Sequence, residues 1–257
     1  MMNSKLECLV ISQEMIAKDI YSLVFESADI AKESRPGQFV NVYTKSKSNL
    51  LPRPISICEV AGDRVRLVYR AVGAGTKEFS TYKAGDTITM LGPLGNGYDV
   101  DSVSKDRKAI LFGGGIGIPP MLELSKRLGC EVTAVLGYRD ELFLDKEFTD
   151  AADMLYVATE DGSAGTRGNV LDAVREKNIE GDIIFACGPT PMLRAIRAYA
   201  QEKNIEAYVS LEERMACGVG ACLACVCKSA DIDDHSQVKN KRVCKDGPVF
   251  NIKDIEI

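Results

Sequence analysis

The chain has 257 residues, 46% hydrophobic and 27% charged, an ordinary globular composition whose length suggests two domains at about 150 residues per domain. Its net charge of −5 does not suggest nucleic-acid binding, which usually shows as a basic face or stripe. The single histidine, His235, excludes a His-rich metal site and leaves a Ser–His–Asp triad only one candidate, in a polar stretch.

The first hundred residues read as β-structure. Apolar runs at 5–11 and 20–26 come first. Residues 38–44, Gln-Phe-Val-Asn-Val-Tyr-Thr, alternate at period two, as a half-buried strand does. Runs at 55–60, 64–69 and 87–91 continue the series, separated by glycine and proline turns. This spacing predicts a small antiparallel barrel over residues 1–100, interrupted by one helix near 76–82.

After Asp99 the rhythm changes, and the polar stretch 99–107 marks a domain boundary. Apolar runs at 109–112, 132–136, 154–159, 183–186 and 207–211 are interspersed with helical stretches at 119–128, 169–178 and 191–203. The pattern predicts an α/β domain over 101–211, with parallel strands and crossover helices on both faces. From Glu212 it breaks into a cysteine-rich segment, 212–257.

Five of the nine cysteines crowd into 28 residues: Cys217, Cys222, Cys225, Cys227 and Cys244. Cys217-x4-Cys222-x2-Cys225 matches the spacing of plant-type [2Fe–2S] ferredoxins. Four thiolates must converge on two irons, so the loop must bend tightly. Ala216, Gly218, Gly220, Ala221 and Ala224 supply the small residues for that. A zinc ribbon would show two C-x2-C pairs, and only Cys222 and Cys225 form one. Cys227 and Cys244 compete for the fourth position. Cys225-x-Cys227 puts two thiols on one side of an extended segment, an awkward geometry for ligands of different irons. Cys244 lies in the turn Arg-Val-Cys-Lys-Asp-Gly-Pro and is favoured, with Cys227 a packed thiol. The odd, clustered cysteine count argues against a disulfide framework. The N-terminus lacks the apolar core of a signal peptide, and no apolar run approaches membrane-spanning length. A reduced, cytoplasmic protein without membrane contact is expected.

Two glycine turns follow strands of the α/β half. In Gly113-Gly114-Gly115-Ile116-Gly117-Ile118-Pro119, backbone N–H groups and a helix start can face a pyrophosphate. Ile118 stands where the third glycine of G-x-G-x-x-G would be. Cys187-Gly188-Pro189-Thr190-Pro191-Met192 ends a later strand, so both turns can face one crevice. In the barrel, Arg53 and Ser56 of Arg53-Pro54-Ile55-Ser56 can reach one phosphate. Gly73-Ala-Gly75-Thr76 precedes the barrel helix, with Thr76 as the expected N-cap.

Together and in this order, these motifs resemble the ferredoxin reductase superfamily, and within it the electron-transfer subunits of type B dihydroorotate dehydrogenases. The most specific stretch is Glu212-Glu-Arg-Met-Ala-Cys-Gly-Val-Gly-Ala-Cys-Leu-Ala-Cys-Val-Cys, with Val243-Cys-Lys-Asp-Gly-Pro-Val-Phe. The resemblance implies FAD in the barrel on Arg53, Pro54, Ile55, Ser56, Tyr69, Arg70, Ala71, Gly75 and Thr76. It implies NAD on Gly113, Gly114, Gly115 and Gly117, with Cys187, Gly188 and Pro189 near the nicotinamide. It implies a [2Fe–2S] cluster on Cys217, Cys222, Cys225 and Cys244. The implied partner is an FMN-containing catalytic subunit, in a heterotetramer of two of each. A related NAD(P)H:ferredoxin or sulfide-linked reductase is the alternative. Two departures stand out: Ile55 replaces a frequent aromatic residue, and the polar stretch 231–241 lengthens the gap before Cys244.

Overall fold

The computed structural model describes residues 5–230, 232 and 237–257. His235 lies outside the described residues, as do parts of the polar stretch before Cys244.

Six strands form the first body: β1 (Leu6–Ala17), β2 (Ile20–Glu26), β3 (Phe39–Tyr43), β4 (Arg53–Ala61), β5 (Arg64–Arg70) and β6 (Thr87–Leu94). They close into an antiparallel barrel in the order β1-β2-β5-β4-β3-β6. Val10, Leu23, Phe25, Val40, Val42, Leu67 and Met90 fill its interior. Each such side chain contributes about 1.5–3 kcal/mol when fully buried. Two short helices ride on the barrel, α1 (Ala28–Glu33) and α2 (Ala74–Phe79). The first adds to the single barrel helix that the sequence predicts; Ser27 caps it by accepting from Ile30 N.

The second body is a seven-stranded sheet. Its strands are β7 (Lys108–Gly114), β8 (Glu131–Tyr138), β9 (Met154–Thr159), β10 (Thr166–Arg167), β11 (Ile183–Cys187), β12 (Glu206–Ser210) and β15 (Val249–Asn251). The order is β10-β9-β8-β7-β11-β12-β15. All pairs are parallel except β12–β15. The antiparallel edge strand comes from the cysteine-rich segment, which therefore completes this sheet rather than hanging free of it. Helices α3 (Pro119–Arg127) and α4 (Asp145–Ala151) lie over one face, and α5 (Val170–Lys177) and α6 (Thr190–Lys203) over the other. Ala109 and Leu111 point to the first face, Ile110 and Phe112 to the second. The chain runs outward from β7 to β10, then returns to β11 on the other side of β7. The topological switch point lies between β7 and β11, where Gly113 and Cys187 are register partners.

A hairpin, β13 (Val226–Lys228) and β14 (Asn240–Arg242), carries the chain out from Cys225 and back to Cys244. The barrel and the sheet are tied by polar contacts. Val60 N donates to Glu123 Oε2 at 3.0 Å, Lys18 N donates to Glu141 Oε2 at 2.9 Å, and Arg66 pairs with Glu147 at 3.2 Å.

Candidate functional site

The structure brings the sequence-predicted residues into three adjoining groups. The first lies on the barrel. A Cβ on Gly75 would sit 2.8 Å from Arg53 Nε, so the arginine of β4 lies directly on the start of α2. Thr76 is not the N-cap that the sequence predicts. Gly73 occupies that position, with an extended backbone at φ −114 and ψ 172. Thr76 Oγ1 instead accepts from Val72 N and Gly73 N, each at 3.1 Å, and folds the turn back on itself. Arg53 Nη1 donates to Leu51 O. Leu50, Leu51 and Val72 are exposed apolar residues flanking this arginine and turn. Sequence reasoning missed them, since a lone exposed Leu or Val carries no periodic signal.

Ile55 and Ser56 continue β4 and pair in register with Val40 and Phe39, and Pro54 pairs with Asn41. Tyr69 is committed to the barrel core. Its hydroxyl accepts from Gln13 Nε2 at 2.7 Å, and its ring packs on Tyr21 and Phe79. Burial pushes this phenol well above the usual tyrosine range. Arg70 is exposed and Ala71 half-buried where β5 ends.

The second group sits at the carboxyl ends of β7 and β11. A 3-10 turn, Gly115–Gly117, links β7 to α3. Backbone packs so closely here that side chains are excluded. A Cβ on Gly117 would lie 2.4 Å from Cys187 O, and one on Gly188 would lie 3.1 Å from Gly114 N. Gly115 has φ +53 and open space around it, so its requirement is conformational. Gly113 packs under the fully buried Ile118, which explains why that position is not glycine. Met192, on the first turn of α6, fits between Gly114 and Gly188. Pro189 is the residue before α6, which like α3 carries a proline in its first turn. The two helix starts therefore lie side by side at the carboxyl ends of β7 and β11. Burial pushes the Cys187 thiol up to about 12, so it is a neutral thiol at neutral pH. β5 lies against the 3-10 turn, which sets the first group beside the second. An open depression of about 490 Å³ lies by the amino ends of β8 and β9, lined in part by Cys130 and Asp153. That is the wrong end of a parallel sheet for a nucleotide.

The third group is the cysteine loop. Cys217 and Cys222 face one another, and so do Cys225 and Cys244. Two thiol pairs are what two irons bridged in a [2Fe–2S] cluster require. Among the described residues no three His, Cys, Asp or Glu side chains could share a single ion. Gly218 and Gly220, at φ +73 and +83, turn the loop so that N–H groups meet sulfur. Val219 N donates to Cys217 Sγ at 3.4 Å, Gly220 N to Cys244 Sγ at 3.2 Å and Cys244 N to Cys225 Sγ at 3.4 Å. Burial raises the Cys217 thiol, but the N–H groups of Val219 and Cys222, the Cys222 thiol and the N–H of Ala221 outweigh it, bringing it to about 6. Burial and the Cys225 thiol beside it push Cys244 up to about 12. Cys227 stands apart. It lies on β13, packs against the sheet core and is pushed up to about 11 by burial and then by Glu213. The donor set and the sulfur-directed N–H groups fit an iron–sulfur cluster.

The barrel grips this loop. Asn41 Nδ2, on β3, donates to Cys217 O at 3.1 Å, and Asn96 Nδ2 donates to Lys245 O and Asp246 O at 3.1 and 3.3 Å. Asn41 is fully buried and its Oδ1 has no partner, a condition that costs about 1–3 kcal/mol. Neither asparagine is marked by a sequence motif.

Residues 212–256 match the family described as the iron–sulfur cluster binding domain of dihydroorotate dehydrogenase B. The chain is 44% identical over 262 residues to the dihydroorotate dehydrogenase B (NAD(+)) electron transfer subunit of Bacillus cereus (strain G9842), covering 99% of each chain. The subunit of the same name from Bacillus anthracis (strain A0248) matches at the same identity and coverage. Among solved structures, an NADH-dependent reduced ferredoxin–NADP oxidoreductase superposes with a TM-score of 0.86 at 30% identity, covering 100% of this chain and 91% of that one. A ferredoxin NADP+ reductase from Neisseria gonorrhoeae with bound FAD and NADP shares the fold, with a TM-score of 0.65 at 13% identity, covering 77% and 91%. The chain belongs to the family of dihydroorotate dehydrogenase B electron transfer subunits.

Proposed function

We propose that the chain is the electron-transfer subunit of an NAD-linked dihydroorotate dehydrogenase. It passes electrons from the FMN of a catalytic subunit, through [2Fe–2S] and FAD, to NAD⁺ in pyrimidine biosynthesis. The observation that carries this reading is the adjacency of three sites in one chain. The arginine–glycine cradle, the paired glycine turns and the four-thiol loop are linked through β3, β4 and β5.

In this reading residues 1–100 hold FAD, 101–211 hold NAD(H) and 212–257 hold the cluster. Arg53 and the N–H groups at the start of α2 take the FAD phosphates, with Pro54, Ile55, Ser56, Arg70 and Ala71 along the flavin. Leu51 and Val72 supply an apolar rim. Gly113, Gly114, Gly115 and Gly117 shape the turn that takes the NAD pyrophosphate, with the start of α3 supplying N–H groups. Cys187, Gly188 and Pro189 bound the nicotinamide end, where the neutral Cys187 thiol excludes water without titrating. Cys217, Cys222, Cys225 and Cys244 ligate the cluster. When bound, FAD supplies the exchange between two-electron hydride transfer and one-electron transfer. The chain itself moves no proton at a side chain for that transfer; its residues bind, orient and exclude water.

The partner is an FMN-containing catalytic subunit, in an assembly of two of each, in the cytoplasm. Among the described residues no helix is long and apolar enough to cross a membrane. The full-length superposition on a ferredoxin–NADP oxidoreductase favours a second reading, a reductase serving ferredoxin. The test uses the tagged chain purified anaerobically from its own cells. Addition of dihydroorotate and NAD⁺ should form NADH, read at 340 nm, with an FMN protein co-purifying. Absence of NADH in the presence of that partner and of intact cofactors would refute the reading.

A further inference from the structure

β3 is the strand on which the barrel and the cluster loop meet. Its side chains alternate. Val40 and Val42 fill the barrel interior, while Phe39 and Tyr43 pack with the core that contains Cys225 and Cys244. Asn41 shares the outward face with Phe39 and Tyr43. It is fully buried, and its amide meets the cluster loop at Cys217 O. Gly218 follows Cys217, and a Cβ there would lie 2.3 Å from Asn41 Nδ2. The loop thus approaches the amide as closely as a residue without a side chain allows. On its other side Asn41 pairs in register with Pro54 of β4, between Arg53 and Ile55.

Asn41 is poorly placed for stability alone. One end of its amide is bonded and the other is buried without a partner. Turning the amide over would set Oδ1 against the Cys217 carbonyl, so the orientation is fixed by that carbonyl. Asn96 makes the comparable contact to the other end of the ligand set, but it is exposed, where water can replace it.

We propose that Asn41 is a positioning residue for electron transfer between flavin and cluster. This rests on the assignment of FAD to the barrel and of the cluster to the four thiols. Its Nδ2–H fixes the Cys217 peptide to the strand beside the flavin strand, and so sets the separation and the covalent–hydrogen-bonded path between the two redox groups. Each transfer removes one electron from one group and adds one to the other; Asn41 gains and loses nothing.

The test uses the FAD- and iron-loaded chain, mixed rapidly with NADH and followed by absorbance. Flavin reduction appears first and cluster reduction second. In Asn41→Leu the second rate should fall at least tenfold relative to the first in the same trace, with altered g-values in the reduced cluster's paramagnetic resonance spectrum. Should the leucine variant fail to load iron, Asn41→Ala is read in its place. Gly218→Ala, which presses on the same bond from the loop side, should slow the same phase, and the double variant should be no slower than the worse single one. An unchanged rate ratio with unchanged g-values in the Asn41 variant would overturn the inference and leave the cofactor assignment standing. Failure of the unmodified chain to hold FAD or iron would overturn the assignment itself.

Discussion

The nucleotide turns and the cysteine loop are built on opposite principles. Gly113–Gly117 and Cys187–Pro189 hang from the ends of two paired parallel strands in the middle of a seven-stranded sheet. Their shape is fixed by the sheet ladder and by close backbone packing. The loop from Leu211 to Ala224 contains neither helix nor strand. Its shape is held by a few tie points, chiefly Asn41 at Cys217 O, Val243 N at Cys225 O and the N–H groups on Sγ. A site with so little ladder of its own gains folding free energy from its metal. The nucleotide site should therefore stand ready without ligand, while the cluster site should depend on iron.

The largest expected effect separates the two sites completely. Cys244→Ala should abolish the cluster's visible absorbance and paramagnetic signal yet keep NADH-to-dye reduction, whereas Cys227→Ala should retain the full cluster spectrum. Loss of the cluster from the Cys227 variant would reverse the ligand assignment. The opposite lesion is Gly117→Val. Its side chain would meet the Cys187 carbonyl, and overpacking of this kind costs about 1–3 kcal/mol. NADH-to-dye reduction should fall at least tenfold while FAD and iron contents hold. A smaller effect is expected for Arg53→Ala. Loss of one charge-assisted contact costs about 1.5–3 kcal/mol, weakening FAD about ten- to a hundredfold on titration. The smallest concerns the frame alone. Asn169 accepts from Leu171 N and Asp172 N at the start of α5, so Asn169→Ala should cost about 1 kcal/mol, read as a melting-temperature drop of about 2–4 °C with unchanged activity.

The same contrast governs what the sequence reveals. The strands at Ile20–Glu26 and Met154–Thr159 fall where the apolar runs predict, because strand period and burial are local properties. The cysteine spacing and the glycine turns are equally local. Helices α1 and α4 are not visible: six or seven residues hold too few turns for a period to register, and α2, equally short, shows only through the glycines and Thr76 at its start. α4 also follows Leu144 at φ +61, with no capping side chain to announce it. β15 spans three residues and becomes a strand only by pairing with β12. Thr76 resembles a cap because Thr commonly caps, but the helix is capped three residues earlier at Gly73. The contact of Asn41 with Cys217 spans 176 positions, and nothing near residue 41 announces it.

The account turns on the claim that the nucleotide half is preformed and the cysteine loop is not. Amide hydrogen exchange on the FAD-loaded chain, compared before and after removal of iron, tests it most directly. Protection of β7 and β11 should be unchanged, and exchange across residues 212–225 should accelerate at least tenfold. A loop that stays as protected without iron, or a sheet that loses protection in step with it, would contradict the account.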